Sequence, residues 1–209
     1  MAHDTRDVLL ATGTTLFLER GYAATGLQDI LQHSRIPKGS FYHHFQSKEG
    51  FGLELLERFA AAGLAELDAA LGDASVPTHL GRLRRYFECA GNHAAGEGCC
   101  RGGCLMGTLG QELANVNEPI RERVEALFRR WQGRIEACLR RGRDAGELPA
   151  DADVGRLAEY TLLAWQGALQ QMRIRRSDAP VAAFLDGTFG RLLPAPAAAV
   201  SPPRRRARP

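Results

Sequence analysis

No run of apolar residues in this sequence approaches the roughly 18 that a bilayer crossing needs, so no membrane partner is expected. No apolar segment of signal type follows the polar start Met1-Ala2-His3-Asp4-Thr5-Arg6-Asp7, and a cytoplasmic location is the expectation. Charge of one sign is scarce as well. The formal net charge is +3, and Arg204, Arg205, Arg206 and Arg208 near the C-terminus supply four positive charges, so without them the balance is −1. Bulk charge therefore does not argue for nucleic acid, and any such reading must rest on where individual cations sit. The five cysteines are few and odd in number, which speaks against a disulfide framework and for free thiols or ligands. No strand pattern and no internal repeat are found.

What the sequence does have is 44% apolar content, enough for a substantial core, arranged with helical period throughout. The fold class expected is all-α. The stretch Pro37-Lys38-Gly39-Ser40-Phe41-Tyr42-His43-His44-Phe45 is the most informative. As a short helix it puts Phe41 and Phe45 on an apolar face and Gly39, Ser40, Tyr42 and His43 on the opposite one. Upstream, Thr25-Gly26-Leu27-Gln28 fits a Thr-x-x-Gln capping box for a helix with Leu27, Ile30 and Leu31 inward. Ser34-Arg35-Ile36-Pro37 breaks that helix, since Pro37 disfavours helical geometry at Ile36. The pair reads as a helix-turn-helix whose second helix would enter a DNA major groove.

Further helices are marked by their caps and stripes. Asp4 can start a first helix that stops at Gly21, with Leu9, Leu10, Gly13, Leu16 and Phe17 inward. Ser47 caps a long helix carrying Phe51, Leu55, Leu56 and Phe59 to about Gly72. Thr78 caps the next, with Leu80, Leu83, Phe87, Ala90 and Ala94 inward. A Gly-rich interruption, 96–103, precedes a short helix from Cys104 to Ala114. Asn117 with Pro119 opens a long helix that Gly146 and Pro149 close. From about Asp153 to Ile174 a helix includes Tyr160 to Leu169, apolar around most of its circumference, which implies burial on more than one side. The last helix, about 180–193, carries Val181, Phe184, Leu185, Phe189 and Leu192, and these final two helices could pack against their copies in a second subunit.

The run from Thr25 to Lys48, with Gly39, Tyr42, His44, Phe45 and Ser47-Lys48-Glu49, resembles the DNA-binding domain of the TetR family of transcriptional regulators. Gly103-Cys104-Leu105-Met106-Gly107-Thr108-Leu109-Gly110-Gln111-Glu112, with Phe189-Gly190-Arg191, is similar to the subgroup of the N-ethylmaleimide reductase repressor and the acrylate-utilisation repressor. The resemblance implies a helix-turn-helix domain over 1–47 and a helical effector-binding and dimerisation domain over 48–193 with 48–72 as connecting helix; beyond it, the Pro/Ala/Arg-rich composition of 194–209 reads as a disordered basic tail. The resemblance also implies DNA contacts at Thr25, Lys38, Gly39, Ser40, Tyr42, His43, His44 and Lys48, a homodimer on an inverted-repeat operator, and a small-molecule effector. The residue types suit that carry-over: a glycine for close approach, hydroxyls for bases or phosphates, cations for the backbone. For His43 a surface residue without contact is the alternative.

Cys104 follows two glycines at a helix start, where free N–H groups and the dipole should lower its thiol pKa and make it nucleophilic. The subgroup resemblance implies electrophile or oxidant sensing there. A buried, inert cysteine is the competing reading, and a non-covalent hydrophobic effector is the competing mechanism. Met106, Trp131, Trp165 and Met172 are candidates to line the effector pocket, with simple core packing as the alternative for each. Cys99 and Cys100 could resolve an oxidised Cys104 or be loop residues. A metal held by His93, Cys99, Cys100 and Cys104 is disfavoured by the adjacency of two ligands, and no metal or cofactor is assigned. Cys89 and Cys138 are expected in the core. An enzyme using Cys104 with His93 as base is set aside, since no residue to orient that histidine is evident.

Overall fold

The computed structural model describes residues 5–95 and 103–193. Among them are nine α-helices and no strand. In order they are α1 (Thr5–Arg20), α2 (Leu27–Ser34), α3 (Lys38–His44), α4 (Lys48–Gly72), α5 (His79–Ala95), α6 (Leu105–Leu113), α7 (Glu118–Asp144), α8 (Val154–Arg175) and α9 (Ala179–Gly187). A π-type turn over Thr188–Leu192 continues α9. The expected Asp4 cap, Cys99, Cys100 and the tail 194–209 lie outside the described residues. No helix among those described is long and apolar enough to cross a membrane.

Local capping chemistry sets most boundaries. The Ser47 hydroxyl accepts from Gly50 N–H (3.0 Å), Thr78 from Gly81 (3.1 Å), Asn117 Oδ1 from Ile120 (2.9 Å) and Asp153 Oδ1 from Arg156 (3.1 Å). Each satisfies an N–H with no partner inside its own helix. Gly21 ends α1 in the left-handed region, φ +85°. Arg35 ends α2 in the same region, φ 57°, and Ile36 N–H reaches back to Leu31 O at 3.2 Å.

One expected cap is wrong. Gly26, not Thr25, caps α2, and its N–H donates to Asp29 Oδ2 at 2.7 Å. Thr25 is fully buried, its hydroxyl donating to Gly21 O (2.7 Å) and Leu16 O (3.3 Å). Its side chain braces the α1–α2 loop, so it is withdrawn from the expected DNA contacts.

The first three helices close over Phe17, Phe41, Phe45 and the first turn of α4. The Phe51 ring lies 4.8 Å from that of Phe45 and 5.3 Å from that of Phe41. A Cβ on Gly13 would come within 2.4 Å of Phe51 Cζ, so the glycine lets α1 and α4 cross closely. Truncating one such buried phenylalanine costs about 3–5 kcal/mol.

α4 then runs on into the second half of the molecule, where Gly63 makes room for Trp131 of α7. Phe87, Trp165, Phe184 and Phe189 form a second aromatic cluster joining α5, α8 and α9. Cys138 is buried, as expected, and its thiol, donating to His79 O at 3.3 Å, is pushed up to about 11 by burial. Cys89 is exposed, contrary to the core expectation, because its stripe of α5 faces away from the other helices. Within the single chain the α8 run buries one side, with Leu162, Trp165 and Leu169 inward, and leaves Tyr160 and Leu163 exposed on the other.

Candidate functional site

The polar side of α3 is open. Phe41 and Phe45 face the core, and Lys38, Gly39, Tyr42 and His43 are exposed, with Ser40 and His44 half-buried at the flanks. Lys38 Nζ lies 5.8 Å from the Tyr42 ring centroid, which brings its charge to the exposed ring. A Cβ at Gly39 would meet nothing within 4 Å. No packing inside the chain requires that glycine, although a glycine within a helix costs about 1 kcal/mol relative to alanine.

Lys48 is less free than expected of a phosphate contact. Its ammonium donates to Tyr22 O at 2.6 Å and lies 4.1 Å from the Tyr22 ring centroid. Burial lowers its pKa from the ordinary value, with Glu112 and Asp29 acting the other way. Lys48 thus sits at the seam between the first three helices and the rest of the chain.

A cavity of about 670 Å³ opens between α6, α7 and α8. Cys104 and Met106 line it from α6, Val124, Phe128 and Gln132 from α7, and Leu162, Gln166, Leu169, Gln170 and Arg173 from α8. Of the other candidates, Trp131 lies outside the lining, its indole N–H donating to Tyr86 Oη at 3.1 Å. Trp165 belongs to the aromatic cluster with Phe87 and Phe184, and Met172 is buried core. All three have the core-packing role. Sequence reasoning missed Gln111, Gln132, Gln166, Gln170 and Arg173. Gln166 was findable, being a polar residue inside the apolar run of α8.

Cys104 is the N-cap residue of α6, half-buried. The expected drop in its pKa does not occur: the thiol is raised from its ordinary value of 9.0, first of all by burial. Hydrogen bonds from the N–H groups of Gly107 and Met106 and from the Gln166 side chain pull it down, but desolvation prevails. Among the described residues no group of three or more His, Cys, Asp or Glu could hold a metal ion. Of His93, Cys99, Cys100 and Cys104, Cys99 and Cys100 lie outside those residues.

Comparison with known proteins places this arrangement. The profile "Bacterial regulatory proteins, tetR family" matches residues 9–55, and "Tetracyclin repressor-like, C-terminal domain" matches residues 80–188. The chain belongs to the TetR family. It is a transcriptional regulator and not an enzyme, as expected. Similar proteins include the HTH-type transcriptional repressor DhaR of Mycobacterium sp. (strain GP1), 36% identical over 90% of this chain and 92% of that one. The transcriptional regulator AcuR of Cereibacter sphaeroides is 37% identical over 88% and 82%. The crystal structure of Escherichia coli NemR in reduced form superposes with a TM-score of 0.84 at 33% identity, covering 94% of this chain and all of that one. The last two match the expected subgroup. TetR-family proteins bind operator DNA as dimers and respond to small-molecule effectors.

Proposed function

We propose that this TetR-family chain is a cytoplasmic repressor that sits as a homodimer on an inverted-repeat operator and is released when a reactive electrophile or oxidant engages Cys104. The observation that carries the reading is a thiol at the start of α6 on the wall of a 670 Å³ cavity. Lys38, Gly39, Ser40, Tyr42, His43 and His44 contact the operator, with Lys48 at the edge. The working units are residues 1–47 and 48–193, joined by α4. The dimer forms through α8, α9 and the π-type turn that follows, whose exposed Tyr160, Leu163, Ile174 and Leu192 lack apolar cover in the single chain. Such dimers set their two reading helices about 34–36 Å apart, on successive major grooves.

Release requires that the modified protein favour a conformation unsuited to the operator, since an effector shifts an equilibrium only by its differential affinity. An adduct or sulfenic acid on Cys104 adds volume where α6, α7 and α8 meet. A second reading, a non-covalent effector, is favoured by the raised thiol pKa and by the apolar side chains of Phe128, Leu162 and Leu169 with four glutamines, Gln111, Gln132, Gln166 and Gln170, among them. Operator binding of the wild type and of Cys104→Ser, each with and without acrolein as an α,β-unsaturated probe, separates the two. The wild type is expected to release DNA and the variant to hold it. Equal release by both would leave only the non-covalent reading.

A further inference from the structure

The loop joining α1 to α2 is held from both sides. Glu112, near the end of α6, accepts Tyr22 N–H on Oε1 (3.1 Å) and Ala23 N–H on Oε2 (2.9 Å). From the other side, Lys48 of α4 donates to the Tyr22 carbonyl at 2.6 Å. Gly21 lies directly beneath the carboxylate: a Cβ there would stand 2.2 Å from Glu112 Oε1, and φ +85° is itself a glycine conformation. The positive φ therefore favours glycine here, and a Cβ would also push the Glu112 carboxylate off the loop.

The loop transmits what it receives. The Thr25 hydroxyl holds Gly21 O at 2.7 Å, and Asp29 holds Gly26 N–H at 2.7 Å, so α2 is fastened to the segment that Glu112 grips. The three residues 35–37 join α2 directly to α3, and the buried Phe41, its ring 5.3 Å from that of Phe51, ties α3 to the aromatic core. At its opposite end α6 begins at Cys104 and Met106 on the cavity wall. A helix of its nine residues is about 13 Å long and moves as a rod. One element thus lines the cavity along its length, from Cys104 to Gln111, and with its last turn holds the loop that positions the reading helix.

We propose that Glu112 is the coupling residue of this regulator: its two-pronged hold on the Tyr22 and Ala23 amides converts a displacement of α6 at the cavity into a reorientation of the helix-turn-helix. The proposal rests on the cavity being the effector site. Its free state is the tethered one, in which the grip narrows the range of headpiece orientations and so favours the two-headed fit to an operator. Effector at Cys104 moves α6 and drags the loop with it.

The test uses the full-length wild type, Glu112→Gln, which keeps the shape but turns a donor toward one amide, and Glu112→Asp, which keeps the charge but is one methylene short. The DNA is a duplex selected from a random pool by the wild type. Amide exchange at Tyr22 and Ala23 is expected to rise about tenfold or more in both variants, with Leu9 and Leu10 of α1 unchanged. Operator affinity is expected to weaken about three- to tenfold, and the acrolein-induced change in affinity to shrink by at least about threefold. Unchanged exchange at Tyr22 and Ala23, or raised exchange with an undiminished acrolein response, overturns the proposal. Raised exchange at Leu9 and Leu10 as well makes Glu112 a structural brace and also overturns it. If the wild type itself ignores acrolein, the electrophile reading fails separately. The coupling role then stands only if the variants show the raised exchange and the weakened operator binding.

Discussion

The Arg173 guanidinium borders the Cys104 cavity and also donates to the Glu19 carbonyl, 3.3 Å away in the last turn of α1. Glu19 O is among the carbonyls with no partner inside the helix, and a cation near a helix C-terminus is electrostatically favoured. The contact links α8 directly to the headpiece. Arg173→Ala is expected to weaken operator binding about two- to tenfold, the worth of roughly one hydrogen bond at 0.5–1.5 kcal/mol. Titration of the selected duplex by fluorescence anisotropy measures it, and an unchanged Kd would show that the bond carries nothing.

The pH dependence of Cys104 has a defined sign. Because burial raises the thiol above 9.0, the thiolate is a minor species at neutral pH, and its fraction grows about tenfold per pH unit. The rate of Cys104 alkylation is therefore expected to climb log-linearly to at least pH 9 without a plateau. A plateau below pH 8, seen by mass spectrometry of the 104-containing peptide, would mean a lowered pKa instead. By linkage, the folded state prefers the protonated thiol. Its contribution to stability is complete below the unfolded pKa and is lost as pH rises through the folded one.

Thr25 and Lys38 are expected to fail in different ways when replaced. Thr25→Val keeps the shape but strips Gly21 O and Leu16 O of their donor, costing about 1–2 kcal/mol of stability with no change in the salt dependence of DNA binding. Lys38→Gln leaves stability alone and lowers the slope of log K against log salt by about 1 if the ammonium meets a phosphate. Urea melts and binding titrations across salt concentrations distinguish the two. The sequence has only two lysines, Lys38 and Lys48, and the second is already committed to Tyr22 O.

Leu163 is 65% exposed at the centre of the apolar stripe of α8. In a symmetric interface the same residue meets its own copy or a close neighbour, so Leu163→Glu places an unpaired charge there on both sides. Sedimentation is expected to show a monomer that keeps its helical circular dichroism and loses operator affinity by about tenfold or more. A dimer of unchanged affinity would move the interface elsewhere.

The helix starts at Ser47, Thr78, Asn117 and Asp153 were legible because a cap and the N–H it satisfies lie three residues apart. The inward face of α3 was legible for the same reason, since Phe41 and Phe45 are one turn apart. Thr25 was misread because the capping-box pattern looks only forward along the chain, whereas its hydroxyl bonds backward to the end of α1. The cavity was half legible: Met106 is on its wall, but Trp131 and Trp165 are drawn into the core by Tyr86 and Phe87 on another helix.

Interactions that span a turn or two of chain, and the family they spell, were thus determined by the sequence itself. Tertiary structure alone decided the direction of the Cys104 pKa, the burial of Thr25 and the grip of Glu112 on Tyr22 across 90 residues. The physical reason is that hydrogen-bond pairing within a turn is fixed by local geometry. Desolvation and long-range pairing depend on which surfaces the completed fold brings together.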